Sequence, residues 1–338
     1  MFRSPCARSE TLSRTTGCEV YLKLENLQMT GSFKERGSLN RILQLDASQR
    51  AAGVIAASAG NHAQGVAHAA RVSNIQAIVV MPETAPLSKV RGTTELGAEI
   101  LLHGGGYDEA YERALALAAE RGCTFVHAFD DPQVIAGQGT VGLEVTEQVP
   151  DLEAVVVPVG GGGLIAGVAV AVHGRLPEAL VLGVQTERLP AMLRGVAAGR
   201  VLPQPPAATL ADGIAVGVVG RHTLPLVRQL VARIVTVDEE AIASAIMTLL
   251  EREKTLAEGA GAVAVAALQS GRLPELRGRK VVVIVSGGNI LDITHRRTLS
   301  AGPLGETEVE LRLETRGQAH VAELLAAFQA AGLPARRV

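Results

Sequence analysis

Short apolar runs recur along the chain, each bounded by polar or glycine-rich residues. Val54–Ala57, Ala77–Met81, Glu99–Leu102, Ala154–Val159, Val181–Val184, Ile234–Val237 and Val281–Val285 read as buried strands. Between most of them the apolar positions take helical spacing, as in Asp108–Arg121, Gln133–Gln148, Asp238–Arg252 and Gly259–Gln269. Strands alternating with helices predict an α/β fold of parallel sheets joined by crossover helices. The pattern changes near Gly302-Pro303. Glu308–Thr315 then alternates polar and apolar, as a strand with one wet face does, and Gln318–Ala331 reads as an amphipathic helix. This predicts a separate small unit, the start of a β-α-β arrangement.

One stretch competes with that reading. Ala154 to Val172 carries no charge and is long enough to span a bilayer. Pro158 and four consecutive glycines, Gly160, Gly161, Gly162 and Gly163, break it in the middle. It therefore predicts a buried strand, a glycine loop and a helix start, with no membrane as partner.

Composition narrows the function classes. A length of 338 residues suggests roughly two domains. Hydrophobic residues make up 47% and the net charge is −2, so the chain can bury a large core. It has no basic excess that would point to nucleic acid. There are 37 glycines but only three Tyr, five Phe and no Trp, so stacking platforms are scarce. Cys6, Cys18 and Cys123 lie far apart with no Cys/His cluster, which argues against a disulfide framework and a structural zinc. The polar start MFRSPCARSETLSR has no apolar core of a signal peptide, and the expected location is cytoplasmic.

Ligands in such folds sit at the carboxyl ends of strands, where loops lead into helix N-termini. Three loops qualify: Ser58-Ala59-Gly60-Asn61-His62, Gly160–Gly163, and Ser286-Gly287-Gly288-Asn289. The glycine run suits a phosphate, because successive N–H groups converge there and the next helix adds its positive end. It is not a Walker loop, and a dinucleotide fingerprint is only weakly present. The 58–62 loop suits a carboxylate, although Ser58 alone would read as a helix N-cap and His62 alone as a structural histidine. Lys34 precedes a helical run, Ser38–Leu45. Alone it reads as a surface lysine; a helix N-terminus could also depress its pKa for Schiff-base chemistry. Ser286 could meet a ring nitrogen or cap a turn.

The order of these segments carries more than any one of them. Ser32-Phe33-Lys34-x-Arg36-Gly37, then Ser58-Ala59-Gly60-Asn61-His62-Ala63-Gln64-Gly65, then Gly160–Gly163 with Leu164, then Ser286-Gly287-Gly288-Asn289, resembles the pyridoxal-phosphate enzymes of fold type II. Within them the resemblance is closest to the threonine dehydratases (threonine ammonia-lyases). Lys23–Gln28, Ala136–Thr140, Leu210–Gly213 and Glu258–Gly261 support it, and it extends from about Arg3 to Leu291.

The resemblance implies a tryptophan-synthase-β-like fold of two lobes, each a mostly parallel twisted sheet flanked by helices. Residues 1–43 and 129–300 would form a large cofactor lobe and 44–128 a small substrate-carboxylate lobe; 305–338 resembles a partial ACT regulatory unit. It implies pyridoxal 5′-phosphate as cofactor, with Lys34 as its Schiff base, Gly160 to Gly163 and Leu164 at its phosphate, Asn61 at its ring hydroxyl, Ser286 at its ring nitrogen and Phe33 beside the ring. Ser58, Ala59, Gly60, Asn61 and His62 would hold the substrate carboxylate, and Lys34, Ser58 and Asn61 would be catalytic. The implied reaction removes the Cα proton with Lys34, expels the β-hydroxyl and releases a 2-oxo acid and ammonia, from L-threonine and less so from L-serine. The implied partners are a small amino acid and further copies of the chain, as a dimer or tetramer.

The sequence also departs from its relatives. Serine racemases of this group carry a serine where this chain has Ala59, and they need it as a second acid–base group; weak racemisation is expected here. The racemase-type cation site has an acidic pair after a Gly-Val-Glu stretch, whereas this chain reads Gly183-Val184-Gln185-Thr186-Glu187, so no metal is expected. A complete ACT unit is longer than 305–338, which is expected to be either a fragment or degenerate. Besides the lyase, the alternatives are a serine racemase or serine dehydratase, and an amino-acid-binding regulatory protein descended from an enzyme. Intact Lys34, Asn61, glycine loop and Ser286 argue against the last.

Overall fold

Valine and isoleucine runs with no polar face need cover on both sides, and parallel sheets between helix layers provide it. The structure, a computed structural model, describes residues 1–288, 292–296, 308–312 and 318–330. The chain opens with β1 (Cys6–Arg8), α1 (Glu10–Thr16), β2 (Glu19–Leu24), α2 (Lys34–Leu43) and α3 (Ala47–Ala52). It continues through β3 (Val54–Ala57), α4 (Asn61–Val72), β4 (Ala77–Met81), α5 (Leu87–Glu95), β5 (Glu99–Leu102), α6 (Tyr107–Arg121) and β6 (Thr124–Phe125). Then come α7 (Pro132–Gln148), β7 (Ala154–Pro158), α8 (Gly163–Arg175), β8 (Leu180–Thr186), α9 (Ala191–Ala198) and α10 (Thr223–Leu230). β9 (Arg233–Val237), α11 (Glu239–Glu251), α12 (Gly259–Gln269) and β10 (Lys280–Val285) follow. Beyond them lie β11 (Asp292–Arg296), β12 (Glu308–Arg312) and α13 (Gln318–Ala330).

The strands form a six-stranded sheet, β1-β2-β10-β7-β8-β9, and a four-stranded sheet, β5-β4-β3-β6. All pairings in both are parallel except that of the edge strand β1. Alternation along each strand divides the apolar residues between its two faces. Val156, Val281 and Val283 face a layer containing α11 and α12, whereas Val155, Val157, Val282 and Ile284 face one containing α7 and α8. In the smaller sheet Val54 and Ala56 pack on α4, while Ile55 and Ala57 pack on α6. β11 and β12 pair antiparallel in a separate small sheet, and Phe328 of α13 is buried in the core cluster that holds α11. Asn289 of the last sequence motif, and residues 331–338 of the C-terminal unit, lie outside the described residues. Among the described residues no helix is long and apolar enough to cross a membrane.

One polar cluster sits inside this apolar frame. The Arg36 side chain is fully buried and forks onto Glu25 (Nε–Oε2 2.6 Å, Nη2–Oε1 2.8 Å) and Glu144 (Nη1–Oε1 2.7 Å, Nη2–Oε2 2.8 Å). Lys23, also fully buried, reaches Glu144 at 2.6 Å, the Ser4 carbonyl at 2.8 Å and Gln148 at 2.8 Å. Two cations thus meet two anions, and the paired charges tie α2 to β2 and α7. α7 also touches α2 backbone to backbone: a Cβ on Gly137 would lie 2.6 Å from the Arg36 carbonyl oxygen. The start of α2 is therefore fixed from both sides.

Candidate active site

Lys34 is the first residue of α2, so the helix begins earlier than the predicted Ser38. Gly37 lies within this helix, and its missing side chain makes room for α7: a Cβ there would meet the Gln138 side chain at 2.3 Å. Glu35 closes the preceding turn by accepting from the Thr30 N–H (3.1 Å) and hydroxyl (3.2 Å). Lys34 Nζ donates to the Ala128 carbonyl at 3.0 Å and lies 5.3 Å from the centre of the Phe33 ring. Burial pushes its pKa down to about 8, against the opposing pull of the Glu258 carboxylate. A gathering of neutral amine near neutral pH is what a nucleophilic lysine needs.

The Lys34 loop is stitched to the end of β10. Ser32 and Gly287 form an isolated antiparallel bridge, Phe33 N–H donates to the Ser286 carbonyl at 3.1 Å, and Gly288 N–H to the Gly31 carbonyl at 2.9 Å. Ser286 is buried, with its hydroxyl 3.5 Å from the Ala260 carbonyl it donates to.

Gly160 to Gly163 run from the end of β7 into α8, and Leu164 is buried in its first turn. Gly162 has φ +97°, which favours glycine. A Cβ on Gly161 would lie 2.4 Å from the Phe129 ring, and one on Gly163 2.9 Å from Phe129 Cβ. Thr223 donates to the Gly161 carbonyl at 2.7 Å. The first N–H groups of a helix have no intrahelical acceptor, so this entry to α8 is a bare anion-attracting end.

The loop after β3 ends at the N-terminus of α4. Its cap is Gly60 and not Ser58; the Ser58 hydroxyl instead accepts from the Gly60 N–H at 3.1 Å. A Cβ on Gly60 would meet nothing within 4 Å, so that backbone faces open space. Asn61 donates from Nδ2 to Glu258 Oε1 at 2.8 Å. His62 is buried, and its Nε2–H donates to the Val126 carbonyl at 2.9 Å. Burial pushes its pKa down to about 3 and keeps the ring neutral. Its side chain is thereby committed to the core, and its backbone N–H lies in the first turn of α4. α4 also crowds α2: a Cβ on Gly65 would lie 3.0 Å from the Lys34 carbonyl carbon.

Two groups escaped sequence reasoning. Glu258, at the start of the Glu258–Gly261 stretch, ends beside Asn61 and acts on Lys34. The His127–Asp130 turn places a carbonyl on Lys34 and a ring on the glycine loop. Its only sequence signal is a polar break between a short apolar run and α7. In the 183–187 stretch, Gln185 fills its own surroundings, donating to the Val159 carbonyl (3.2 Å) and accepting from the Leu193 N–H (2.9 Å). Glu187 pairs with Arg272 at 3.1 Å. Among the described residues no group of three or more His, Cys, Asp or Glu could hold a metal ion.

Comparison with known proteins agrees with this geometry. Residues 1–287 match the family described as "Pyridoxal-phosphate dependent enzyme". The L-threonine ammonia-lyase of Thermotoga maritima is 45% identical over 99% of this chain and 95% of that protein. The processed form of threonine deaminase isoform 2 from Solanum lycopersicum superposes with a TM-score of 0.83 at 38% identity, covering 86% of this chain and 84% of that one. Maize serine racemase superposes with a TM-score of 0.83 at 35% identity, covering 86% and 89%.

Proposed function

The chain belongs to the pyridoxal-phosphate dependent enzyme family, and from that premise we propose that it converts L-threonine to 2-oxobutanoate and ammonia, with L-serine as a lesser substrate. The donors on hand fit the cofactor by their chemistry. Lys34, with its depressed pKa, suits an aldehyde carbon; the glycine-capped start of α8 suits a phosphate; the buried Ser286 hydroxyl suits a ring nitrogen; and Asn61, braced by Glu258, suits a ring hydroxyl.

When bound, pyridoxal phosphate supplies a carbon that takes up the substrate amino group and a conjugated ring that delocalises the electron pair left at Cα. The chain's own residues do the rest. The backbone N–H groups at the start of α4, with the Ser58 hydroxyl, would hold the substrate carboxylate. Lys34 would take the Cα proton as a neutral amine. Loss of the β-hydroxyl as water, then hydrolysis of the C–N bond by water, balances the reaction as threonine to 2-oxobutanoate plus ammonia.

The observation that carries this reading over racemisation is the pairing of Lys34 with Ala59. Inverting Cα needs a proton carrier on each face of the substrate, and the side chain before Gly60 is a methyl group. The name of the 45%-identical relative supports threonine as the substrate. The test compares L-threonine with L-serine on the cofactor-loaded protein and on Lys34→Ala. Greater kcat/KM for threonine, lost in the variant, is expected; preference for serine would move the reading to a serine dehydratase.

A cytoplasmic homo-oligomer, dimer or tetramer, belongs to the same reading. The oligomer draws its support from exposed apolar side chains, Met1 (60% exposed), Phe2 (52%), Leu27 (49%) and Met29 (77%), with Gln28 donating to the Phe2 carbonyl at 2.8 Å.

A further inference from the structure

The Ala128 carbonyl that accepts from Lys34 belongs to the same planar peptide unit as the Phe129 N–H. That N–H donates to His127 Nδ1 at 3.2 Å, and the next one, of Asp130, donates to the same nitrogen at 2.8 Å. Fixing the N–H side of a planar unit fixes its carbonyl side. We propose that His127 is a positioning residue for Lys34: its Nδ1 pins the 128–129 peptide so that the Ala128 carbonyl faces the Lys34 amine. The inference rests on the role given to Lys34 above.

The rest of the turn agrees with this role. The imidazole is held edge-to-face by Phe129 (4.7 Å between ring centres), Tyr111 (6.1 Å) and Phe125 (6.2 Å). The Asp130 carboxylate accepts from the N–H groups of Arg221 and His222, both at 2.8 Å, so the far end of the turn is anchored as well. With two donors on Nδ1, the ring proton must sit on Nε2. A carbonyl on the amine favours its ammonium form, the form Lys34 takes when it accepts a proton. His127 would thus set how readily Lys34 holds a proton without touching substrate or cofactor itself.

Protonation of His127 would place an N–H against two N–H groups and release the pin. Burial pushes its pKa down and guards against this. The charged and titratable groups facing it are Asp130 and Asp131 on its own turn, Lys34 on α2, His62 on α4, Tyr111 on α6 and His222 before α10.

Two substitutions separate the acceptor from the ring. His127→Asn keeps an acceptor at the Nδ1 position and loses the ring; His127→Phe keeps a ring and loses the acceptor. The cofactor-free protein is mixed with pyridoxal phosphate, and the rate of Schiff-base absorbance is followed against pH. In His127→Phe the midpoint is expected to fall by about one pH unit, because a charge-assisted hydrogen bond to the ammonium is lost. Its kcat with L-threonine is expected to drop about tenfold, with KM little changed. His127→Asn is expected to restore both. A His127→Phe profile and kcat like the unsubstituted protein's, or a His127→Asn loss as large as that of Phe, overturns the proposal. If His127→Phe does not fold, His127→Gln, whose longer side chain carries its acceptor past the turn, takes its place. Lys34→Ala forming the same absorbance would instead overturn the lysine assignment, and would do so independently of His127.

Discussion

Lys34 is the residue whose environment makes the sharpest claim. An amine with a pKa of about 8 is half neutral near pH 8, whereas an ordinary lysine is half neutral at 10.5. Capture of pyridoxal phosphate should therefore accelerate with rising pH and reach half its maximum near pH 8; a midpoint near 10.5 would mean that the amine is not buried as described. Gly161 makes a second claim. A methyl group there would lie 2.4 Å from the Phe129 ring, and both the glycine loop and the turn beneath Lys34 would have to give. Gly161→Ala should weaken cofactor binding about tenfold or more, read by equilibrium titration, with the chain still folded. Lys34, Asn61, the glycines and Ser286 were candidates from the sequence because their order and local spacing are distinctive. His127 and Glu258 were not, because each matters through a partner far away in the chain, as Asn61 and Glu258 do.

At the scale of elements, α2 is held by charges that the sequence pattern disguised. Lys23 made Glu19–Leu24 look half wet, and β2 went unpredicted; in the structure Lys23 is fully buried against Glu144. Removing one partner from such a cluster leaves charges buried without compensation. Arg36→Met should lower unfolding stability by about 3–5 kcal/mol, read from the urea midpoint at unchanged slope. Burial works to raise the Glu144 carboxyl, but the Arg36 and Lys23 contacts outweigh it and hold the carboxyl below its ordinary value of 4.5. A depressed folded value contributes stability above 4.5 that is lost as pH falls through the lower folded value. The stability gap between the unsubstituted chain and Glu144→Gln should accordingly be full at pH 7 and shrink as pH falls below 4.5. A gap that does not change with pH would mean that Glu144 is not held ionised by its two partners. The strands β3, β4, β7 and β10 were legible because nearly every residue in them is apolar and buried. The two-residue β6 and the edge strand β1 are too short to carry a pattern.

For the whole molecule, the alternation of strands and helices predicted parallel sheets, and the order within them was beyond its reach. Nothing local says that β10 runs between β2 and β7, yet that insertion sets Ser286 beside the Lys34 loop. The loops after β2, β3, β6, β7 and β10 all leave the carboxyl ends of their strands, where such folds bind ligands. What the assembled site can do turns on how many proton carriers it offers. Ala59→Ser adds a hydroxyl beside Gly60 and should confer measurable racemisation of L-serine by chiral chromatography; no gain would leave the second face without an assigned proton carrier at this position. The most direct measurement is of the unsubstituted, cofactor-loaded protein acting on L-threonine in deuterated water, followed by proton NMR. The account predicts that 2-oxobutanoate accumulates and that the remaining threonine keeps its configuration. Epimerised threonine carrying deuterium at Cα, without 2-oxobutanoate, would contradict it.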